Sequence, residues 1–475
     1  MTSQVQKFRH QYPHFIYESY SFKTSDTKLE ITFNFRTEPN ISFHPKIIIE
    51  NIDKSHLRKT PKEILTSLIF HLGLIEMLSY WKATCSPIIE IKSGFLNKNQ
   101  IKWWKNLILK GMGQFFYENK INFKDKNFLT IVSSPLTPTS RLPVSLKSKE
   151  SVLIPVGGGK DSFVTLELLR KSKKRIGCFI LQKDGNLSPT KTKEILKKLK
   201  IPTIIVRRRI DKKLLKLNQQ GFLNGHTPFS AYLAFLSLLI AALFRHRYIA
   251  FSNERSSNEG NLKYLNTEIN HQWSKSFEFE KTFRNYYKKY LIKNIEYFSF
   301  LRPLYEIQIA ELFTQYKKYF PYFLSCNNAL RKVSKREKWC GKCSKCLFVF
   351  TILSPFLSIN QLIKIFKKNL FEERGFLPIM EKLIGIKDSK PFECVGTLKE
   401  NQLAFYLAWK KNKKERKKPF LLNYFEKKIL PIHQINPKKL IKKFLYSWDD
   451  RNFLPSHFKK ILKKEILTGI KSYRK

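Results

Sequence analysis

The N-terminal part of the chain alternates apolar and polar positions in the way that half-buried strands do. This two-residue period predicts strands at 15–22, 28–35 and 43–50. Apolar positions then recur with helical spacing, which predicts helices over 61–81 and 99–116. Strands that are followed by helices predict a small α+β domain, and we assign residues 1–145 to it.

A different pattern begins at residue 148, where short apolar strands alternate with helices. The predicted strands cover 152–156, 176–182, 203–207 and 248–252. The predicted helices between them cover 161–172, 190–199 and 228–245. This alternation predicts an α/β fold with a doubly wound parallel sheet over 148–320, whose ligands bind at the carboxyl ends of the strands. The Pro- and Ser-rich stretch 133–143 is expected to be a linker.

Two further regions follow the predicted sheet. Residues 321–355 contain most of the cysteines and predict a compact metal-binding knuckle. Residues 356–475 are basic and have helical spacing, with prolines as helix breakers. We therefore expect a helical C-terminal extension.

The charge of the chain is strongly positive. It contains 89 lysine and arginine residues against 37 acidic ones, a formal net charge of +52. Such a charge is a feature of many nucleic-acid-binding proteins. Here the lysines are spread over nearly the whole chain and accompany many Phe, Ile, Asn and Tyr residues, as expected of an A/T-rich coding sequence. We therefore expect a solvated basic surface without specific nucleic-acid binding.

The apolar runs do not indicate export or membrane insertion. The N-terminus lacks the basic, apolar and small-residue pattern of a signal peptide. The longest apolar run, 231–244, is shorter than the roughly 20 residues that span a bilayer. We expect this run to be a buried helix, and the protein to be cytoplasmic with no membrane span.

The sequence Gly-Gly-Gly-Lys-Asp-Ser at 157–162 follows the first strand of the predicted sheet and precedes a helix. Glycines let the backbone approach phosphate oxygens, and the N–H groups at a helix start point at them. The sequence is neither a Walker A loop nor a Gly-x-Gly-x-x-Gly fingerprint. It predicts a phosphate site, and the alternative is a glycine-rich turn without a ligand.

Two polar loops are expected at the same edge of the sheet. The loop at 252–261 is almost wholly polar, and its Glu254 and Arg255 suit Mg²⁺ and a carboxylate or phosphate. The alternative is a solvated surface loop. The turn at 224–230 precedes the longest helix and contains His226, which is either structural or a ligand or proton-transfer group.

Four of the seven cysteines are clustered and predict a metal site. Cys340, Cys343 and Cys346 form two overlapping Cys-x-x-Cys steps, with Cys326 upstream. Four thiolates suit tetrahedral Zn²⁺ and leave no open position, so we predict a structural zinc. Free thiols and an iron–sulfur cluster are the alternatives. Cys394 lies apart and is either a reactive thiol or a small buried side chain.

The motifs resemble those of known families. The loop at 157–162 resembles that of the PP-loop ATP pyrophosphatases, which have an adenine nucleotide α-hydrolase-like fold, with Gly157 where that family usually has Ser. The loop together with the cysteine knuckle is similar to 7-cyano-7-deazaguanine synthase, to which the N-terminal domain and the C-terminal extension are foreign. The whole set resembles the UDP-N-acetyl-α-D-muramoyl-L-alanyl-L-glutamate epimerase family, with motifs at 111–117, 155–162, 224–230, 252–261, 339–346 and 391–397.

The resemblance implies a reaction. Members of this family are isomerases that convert the terminal L-Glu of UDP-MurNAc-L-Ala-L-Glu to D-Glu through an acyl-adenylate. They consume ATP with Mg²⁺ and release AMP and pyrophosphate. The reaction belongs to peptidoglycan precursor synthesis, and so to cell-wall biogenesis, cell shape and cell division. The implied partner is the UDP-linked muramoyl dipeptide, and the implied cofactors are ATP, Mg²⁺ and Zn²⁺.

The resemblance also implies roles for the residues that match its motifs. The implied ATP-binding residues are Gly157, Gly158, Gly159, Lys160, Asp161 and Ser162. The implied substrate-binding residues are Asn253, Arg255, Ser257, Asn258 and Trp273. The candidate catalytic residues are His226, Glu254 and Asp161, with His271 and Cys394 as further candidate proton carriers. The proton carriers are chosen because they lie in polar loops expected near the strand ends. Asp161 is also expected to help bind Mg²⁺.

Two other functions are compatible with the sequence. The charge and the cysteine knuckle favour a PP-loop enzyme that modifies RNA or a nucleobase. Gly157, in place of the usual Ser, favours a zinc-stabilised binding protein with a degenerate loop. The sequence leaves open which groups transfer the proton, the oligomeric state and the role of the Lys-rich C-terminal region.

Overall fold

The computed structural model describes residues 3–25, 27–133, 146, 148–183, 190–331, 338–387, 389–433 and 435–469. Nearly all of the predicted linker at 133–143 lies outside these residues. Every candidate site residue named above lies inside them, so each can be located in the fold.

The strands are numbered in chain order. The described residues form thirteen strands, namely β1 His14–Ser25, β2 Lys28–Thr37, β3 Ile41–Phe43, β4 Lys46–Glu50, β5 Ile88–Ile91, β6 Thr130–Ser133, β7 Lys149–Pro155, β8 Arg175–Lys183, β9 Thr203–Arg209, β10 His246–Phe251, β11 Leu262–Tyr264, β12 Thr267–Ile269 and β13 Glu296–Ser299. Eleven of these described strands form one sheet in the order β13-β10-β7-β8-β9-β4-β2-β1-β5-β6, with β3 paired to β2. The strands β11 and β12 form a separate hairpin.

The helices lie between and after these strands. In the described part of the chain they are α1 Ser3–Gln11, α2 Lys54–Arg58, α3 Lys62–Glu76, α4 Leu78–Trp81, α5 Lys98–Gly111, α6 Gly113–Glu118, α7 Lys160–Arg170, α8 Thr190–Lys198, α9 Lys212–Gln219, α10 Phe229–Phe244, α11 Phe277–Tyr290, α12 Glu306–Thr314, α13 Asn327–Arg331, α14 Ser344–Leu353, α15 Ile359–Phe366, α16 Leu377–Ile384, α17 Leu398–Lys411, α18 Phe420–Tyr424, α19 Pro437–Leu445 and α20 Ser456–Gly469. Short 3₁₀ turns at Arg255–Asn258 and Trp273–Lys275 lie in the loops after β10 and β12.

Strands β13, β10, β7, β8 and β9 pair only in parallel with one another. The four strands predicted for this region are confirmed as β7, β8, β9 and β10. The fifth, β13, was not predicted because it is only four residues long. The α/β alternation read from the sequence is therefore correct for this half of the sheet.

The sheet as a whole is mixed, which differs from the parallel sheet that the sequence predicts. Strand β9 pairs antiparallel with β4, so the strands of residues 1–145 extend the parallel strands. An uncovered β9 would leave a row of unpaired backbone groups at a sheet edge, and β4 satisfies them. The division at residues 145 and 148 stays a prediction, since one sheet contains strands from both sides of it.

The apolar side chains of the sheet divide between two hydrophobic layers. Leu153 and Ile249 pack with α3 and α10 on one face, whereas Val152 and Ile154 pack with α7 and α12 on the other. Successive residues of a strand point to opposite faces, so a continuous apolar strand such as β7 is buried on both sides. Helices therefore cover both faces of the parallel strands.

The run Lys62–Trp81 is long and apolar enough to cross a membrane by length and composition, and 83% of that window is buried inside the protein. It comprises α3 and α4, and α3 packs against the apolar helix α10. That degree of burial is typical of the core helix of a globular protein.

The carboxyl ends of three parallel strands define the edge at which the site lies. Strand β7 ends at Pro155, β10 at Phe251 and β13 at Ser299. Because parallel strands share a direction, the segments that follow them meet at one edge of the sheet. These segments are the turn before α7, the loop after β10 and the start of α12.

Candidate active site

The glycine-rich turn between β7 and α7 has a backbone that requires glycine. Gly159 is the N-cap of α7. Gly158 has a φ of +83°, and a Cβ added there would lie 2.4 Å from Thr192 Oγ1. A Cβ at Gly157 would meet nothing within 4 Å, so the turn leaves open space beside it. A helix start with an open, side-chain-free approach is the arrangement that binds phosphate groups.

Lys160, the first residue of α7, is a buried cation with two acidic partners. Its side chain is 3% exposed and forms ion pairs with Asp161 and Glu306. Burial opposes its charge, but the two carboxylates outweigh burial and raise the pKa of Lys160. Next to it, Ser162 Oγ donates to the Gly159 carbonyl at 2.8 Å. Lys160 therefore stays positively charged, and its ion pair with Glu306 links the start of α7 to the start of α12.

Three carboxylates from separate segments converge beside Lys160. Asp161, Glu254 and Glu306 each have an oxygen within 4.8 Å of the others. Asp161 and Glu254 are residues that the sequence singled out, and the fold brings them together. Glu306 was missed because it lies far along the chain, at the N-terminus of α12. Carboxylate oxygens at this spacing are ligands that suit a divalent cation.

Burial sets the protonation of this cluster. Burial, and then the neighbouring Asp161 carboxylate, raise the pKa of Glu306 to about 7. Burial likewise raises the pKa of Glu254, although the charge of Lys275 opposes the shift. A carboxyl group that binds its proton close to neutral pH is suited to general acid–base chemistry.

The buried Arg302 positions two segments of the site, the loop after β10 and the turn after β12. Its guanidinium is fully buried and pairs with Glu280 at 3.2 Å. It also donates to the Glu254 carbonyl at 2.7 Å and to the Lys275 carbonyl. The loop after β10 and the turn after β12 are thereby held at a fixed spacing by one side chain. Sequence reasoning missed Arg302, because its partners lie in other segments of the chain.

Lys275 points into the site and contacts Cys394. Its Nζ donates to Cys394 Sγ at 3.2 Å. Burial opposes the charge of Lys275, but the Cys394 sulfur and the Glu254 carboxylate outweigh it and raise the pKa of Lys275. The loop 391–397 therefore brings its cysteine next to Lys275, close to the carboxylate cluster.

The five residues implied to bind substrate occupy different environments. Asn253 and Ser257 are buried, and they bond to Ser299 Oγ at 3.1 Å and to the Glu254 carbonyl at 2.7 Å. Trp273 is 6% exposed in the core. Asn258 is exposed and caps the start of α11 through the Phe277 N–H. These contacts are within the protein, so the substrate role of these residues stays a prediction.

Arg255, the fifth of these residues, faces the C-terminal region. Its Nε lies 3.3 Å from Asp449 Oδ2, and its Nη1 donates to Ser447 Oγ at 3.1 Å. The guanidinium also lies over the Tyr305 ring, 4.4 Å from its centroid. Arg255 therefore links the loop after β10 to residues 447–449, which the sequence did not predict.

His226 is paired with His271 rather than with the carboxylates. The two imidazole centroids lie 4.4 Å apart, and His271 Nδ1 is 2.5 Å from Gln114 Oε1. Burial, and then the charges of His271 and Lys82, place the pKa of His226 well below its usual value. Its Nε2 is buried and has no hydrogen-bond partner among the described residues. Within those residues, no hydrogen bond or ion pair joins His226 to Glu254.

The glycines at 111 and 113 serve close packing. A Cβ at Gly111 would lie 2.8 Å from Pro228 Cβ, and one at Gly113 would lie 3.2 Å from Ile269 Cδ1. The contacts therefore explain these two glycines by close packing, without a ligand.

The four clustered cysteines form a compact sulfur site. Cys326 Sγ lies 3.8 Å from Cys343 Sγ, and Cys346 Sγ lies 3.6 Å from those of Cys340 and Cys343. Four sulfurs at about 2.3 Å from a tetrahedral Zn²⁺ would be about 3.8 Å apart. The spacing therefore fits a structural zinc, as the sequence predicts.

Glu393 connects the sulfur site to the Cys394 loop. Its carboxylate accepts from Asn327 Nδ2 at 3.0 Å, from Ser344 Oγ at 2.5 Å and from the Lys345 N–H at 2.8 Å. These donors lie beside Cys326, Cys343 and Cys346 in the chain. The knuckle consequently anchors the loop that presents Cys394.

Comparison with known families gives a match over most of the chain. Residues 6–300 match the family model described as MurL N-terminal domain. Residues 322–436 match the one described as MurL C-terminal domain. The two matched ranges contain most of the segments that form the site described above. Residues 301–321, which include Arg302 and Glu306, and residues 447–449 lie outside them.

Three relatives carry the printed name UDP-N-acetyl-alpha-D-muramoyl-L-alanyl-L-glutamate epimerase. The one from Xanthomonas oryzae pv. oryzae (strain MAFF 311018) is 32% identical over 375 residues, which is 78% of this chain and 79% of the relative. The one from Micromonospora sp. is 35% identical over 339 residues, 71% of this chain and 73% of the relative. The one from Salinispora tropica is 32% identical over 338 residues, which is 71% of this chain and 72% of the relative. The chain therefore belongs to the MurL family of UDP-N-acetyl-α-D-muramoyl-L-alanyl-L-glutamate epimerases.

Proposed function

We propose that this protein inverts the terminal L-Glu of UDP-MurNAc-L-Ala-L-Glu to D-Glu in the cytoplasm, as a step of peptidoglycan precursor synthesis. ATP would be cleaved to AMP and pyrophosphate in the same reaction. Membership of the epimerase family supports the substrate. The observation that carries the chemistry is the convergence of a phosphate-type turn with buried carboxylates and a thiol at one edge of the sheet.

The chemistry explains why ATP would be needed. Removing the α-proton beside a free carboxylate would put a second negative charge on one small group. Adenylation of that carboxylate removes the first charge and provides an electron sink for the pair left at Cα. A base then takes the α-proton, a proton returns to the opposite face, and hydrolysis of the acyl-adenylate releases the product. The α-carboxylate is the one to activate, because its neighbouring proton must move.

The turn at 157–162 would bind the phosphates of ATP, in a domain of the PP-loop type. Gly158 and Gly159 give the backbone its close approach, and the N-terminus of α7 favours anions. Lys160 supplies a positive charge that burial and its acidic partners retain. The open space beside Gly157, where the resembled family has Ser, supports a bound phosphate rather than a degenerate loop.

The carboxylate cluster fits Mg²⁺, since it offers hard oxygen ligands at short spacing. Asp161 and Glu306 would hold the ion next to the turn, where it would screen the charge of the phosphate oxygens. Lys160 lies between these two carboxylates and keeps them close before nucleotide binds. The knuckle would hold Zn²⁺ through Cys326, Cys340, Cys343 and Cys346 as a structural ion.

Glu254 is the proposed base on one face of Cα. Its carboxyl group is 2% exposed, and burial raises its pKa. Arg302 fixes its backbone, which gives the side chain a defined position. Asn253, Arg255, Ser257, Asn258 and Trp273 would shape the substrate side of the same loops. His226 is the less well supported base, because its contacts are with His271 and not with this cluster.

The test is a direct assay of product chirality. The protein is incubated with ATP, Mg²⁺ and UDP-MurNAc-L-Ala-L-Glu, the product is hydrolysed, and the enantiomers of glutamate are separated. We expect D-Glu and AMP to form together, and neither to form when ATP is withheld. Retention of L-Glu alone would contradict the proposal, and AMP formation with RNA or a nucleobase instead would favour the nucleobase-modifying alternative.

A further inference from the structure

The loop 391–397 is rigidly held on both sides of Cys394. Glu393 is tied to α13 and α14 through Asn327, Ser344 and the Lys345 N–H. Beyond the cysteine, Asn401 Nδ2 donates to the Val395 carbonyl at 2.8 Å. The Cys394 carbonyl itself accepts from the Lys345 ammonium. Hydrogen bonds thus hold the backbone on both sides of Cys394, and the residue itself is half-buried.

A cation lies directly against the sulfur. Lys275 Nζ donates to Cys394 Sγ at 3.2 Å, and Arg302 holds the Lys275 carbonyl in place. Reactive cysteines are found at partly exposed positions next to a cation, as Cys394 is here. The Lys275–Cys394 contact therefore resembles the polar pairs of acid–base sites more than an apolar packing contact.

Glu254 lies beside the same pair of side chains. The residue is 2% exposed, and among the residues that the structure describes no hydrogen-bond donor to its carboxylate is found. Its charge interacts with Lys275, Asp161 and Cys394. A buried carboxyl group without a hydrogen bond is costly unless a ligand completes it. Glu254 and the Cys394 thiol therefore lie in the same part of the site, close enough for their charges to interact.

The other thiols do not have this access. Cys85 and Cys178 are fully buried in the two hydrophobic layers, and burial raises the pKa of Cys85 to about 12. The remaining four belong to the sulfur site. Among all seven cysteines, Cys394 is the one that is both accessible and next to a cation.

We propose that Cys394 is the second proton carrier of the epimerisation, acting on the face of the glutamyl Cα opposite the first base. In one direction the thiolate takes the α-proton: the S–H bond forms, the Cα–H bond breaks, and the electron pair moves into the activated carbonyl group. A proton from the other carrier then completes the inverted centre. In the reverse direction the thiol donates its proton to Cα. The inference rests on the proposed function, and no oxidant or reductant is consumed.

The test measures exchange of the α-proton with D₂O separately for the L-Glu and the D-Glu epimers of the substrate. A two-carrier enzyme uses a different carrier to deprotonate each epimer. Cys394→Ala should therefore lose exchange of one epimer by about 10²–10⁴-fold, the contribution of a positioned acid–base group, and keep exchange of the other. Substrate-dependent AMP release should persist, because activation does not use the thiol.

Three further measurements guard against a misfolded variant. Lys275→Met should weaken exchange of the same epimer as Cys394→Ala, and Lys275→Arg should restore part of it. Cys178→Ala, a buried thiol outside the site, is the matched control and should exchange both epimers. In the parent protein, iodoacetamide should label Cys394 before Cys85 or Cys178, and ATP with the substrate should slow that labelling.

The outcomes separate the two claims. Parental exchange of both epimers by Cys394→Ala would overturn the role of the thiol while leaving the proposed function intact. Equal loss of both exchanges together with AMP release would assign Cys394 a structural role and also overturn the inference. Absence of ATP-dependent exchange in the parent protein would overturn the proposed function, and this inference with it.

Discussion

At the scale of single residues, Asp161 is the side chain whose charge the site depends on most. It is 25% exposed, so it can reach a ligand while it pairs with the buried Lys160. Asp161→Asn should abolish AMP formation, because the variant loses both the cation ligand and a counter-charge. Its thermal unfolding should stay close to that of the parent. Asp53→Asn, at the exposed N-cap of α2, is the control, since asparagine also caps helices. AMP formation by Asp161→Asn at the parental rate would refute the assignment.

Glu400 provides a pH prediction. Its carboxyl group is fully buried and accepts from the Ile307 and Thr397 N–H groups, and burial raises its pKa from 4.5 to about 7. Between these values the folded protein binds a proton that the unfolded chain releases, so stability is greatest below pH 4.5 and falls as pH rises toward 7. The contribution is about 1.4 kcal/mol per pH unit, or roughly 3 kcal/mol in total.

Measurement of the free energy of unfolding at pH 5 and pH 8 tests whether stability falls as the pH rises. Glu400→Gln lacks the titrating group, so its stability should fall less than that of the parent between the two values. The difference between the two proteins should be on the order of 2–3 kcal/mol. An identical pH dependence in both proteins would contradict a raised pKa for Glu400.

Residues that follow motifs in the sequence could be predicted, and those that enter the site through the fold could not. Gly158, Asp161, Glu254 and Cys394 lie in turns or polar loops whose composition indicated a ligand. Glu306, Lys275 and Arg302 lie in helix starts and turns that have no distinctive sequence motif. They come together only because the segments that follow the strands lie side by side in the fold. Their one sequence signal is position: each follows closely after a strand of the sheet or the hairpin.

At the scale of elements, the sulfur site holds the Cys394 loop in place through Glu393. A zinc bound by four thiolates contributes binding energy that is folding energy. Cys343→Ser should release the metal and lower the melting temperature, and epimerisation should fall with it because Glu393 ties the Cys394 loop to the knuckle. Cys394→Ser is the control and should retain one zinc per chain. A Cys343→Ser protein that is metal-free yet as stable and active as the parent would exclude the structural role.

The predicted element boundaries were accurate where the periodic pattern was long. They were wrong where a proline interrupts a strand or where an element is short. The apolar runs that became β7 and α10 were predicted within three residues of their ends. The predicted strand at 43–50 is divided into β3 and β4, because Pro45 between them has no N–H to give to a ladder. Helix α9 was missed, since its eight residues carry few apolar positions.

At the scale of the whole molecule, the shared sheet makes the N-terminal strands part of the catalytic fold. Strand β4 covers the edge of β9, and Arg208 on β9 pairs with the fully buried Glu76 on α3. A fragment beginning at residue 148 would expose that edge, the face of α10 that packs on α3, and an unpaired arginine. We expect this fragment to be insoluble or unfolded by circular dichroism. A fragment that unfolds cooperatively on its own would show that the sheet junction is dispensable.

The order of strands could not be predicted, because it depends on contacts between distant segments. The sequence indicated strands on both sides of residue 145, but nothing in their patterns specified that β4 would pair with β9. The charge of +52 also gave little information, since lysines scattered over a surface do not define a partner. The match to one family over both matched ranges, rather than the charge, decides between the functions that the sequence left open.

The most direct test of the central claim follows the α-proton in D₂O. If activation precedes deprotonation, the product carries deuterium at the glutamate Cα, and only when ATP and Mg²⁺ are present. The reason is energetic, since a positioned base contributes only about 10²–10⁴-fold and cannot overcome the barrier of the free carboxylate. Mass spectrometry of the hydrolysed product measures the label. Deuterium at Cα with ATP and none without it is the expected result; deuterium uptake in the absence of ATP would contradict the mechanism.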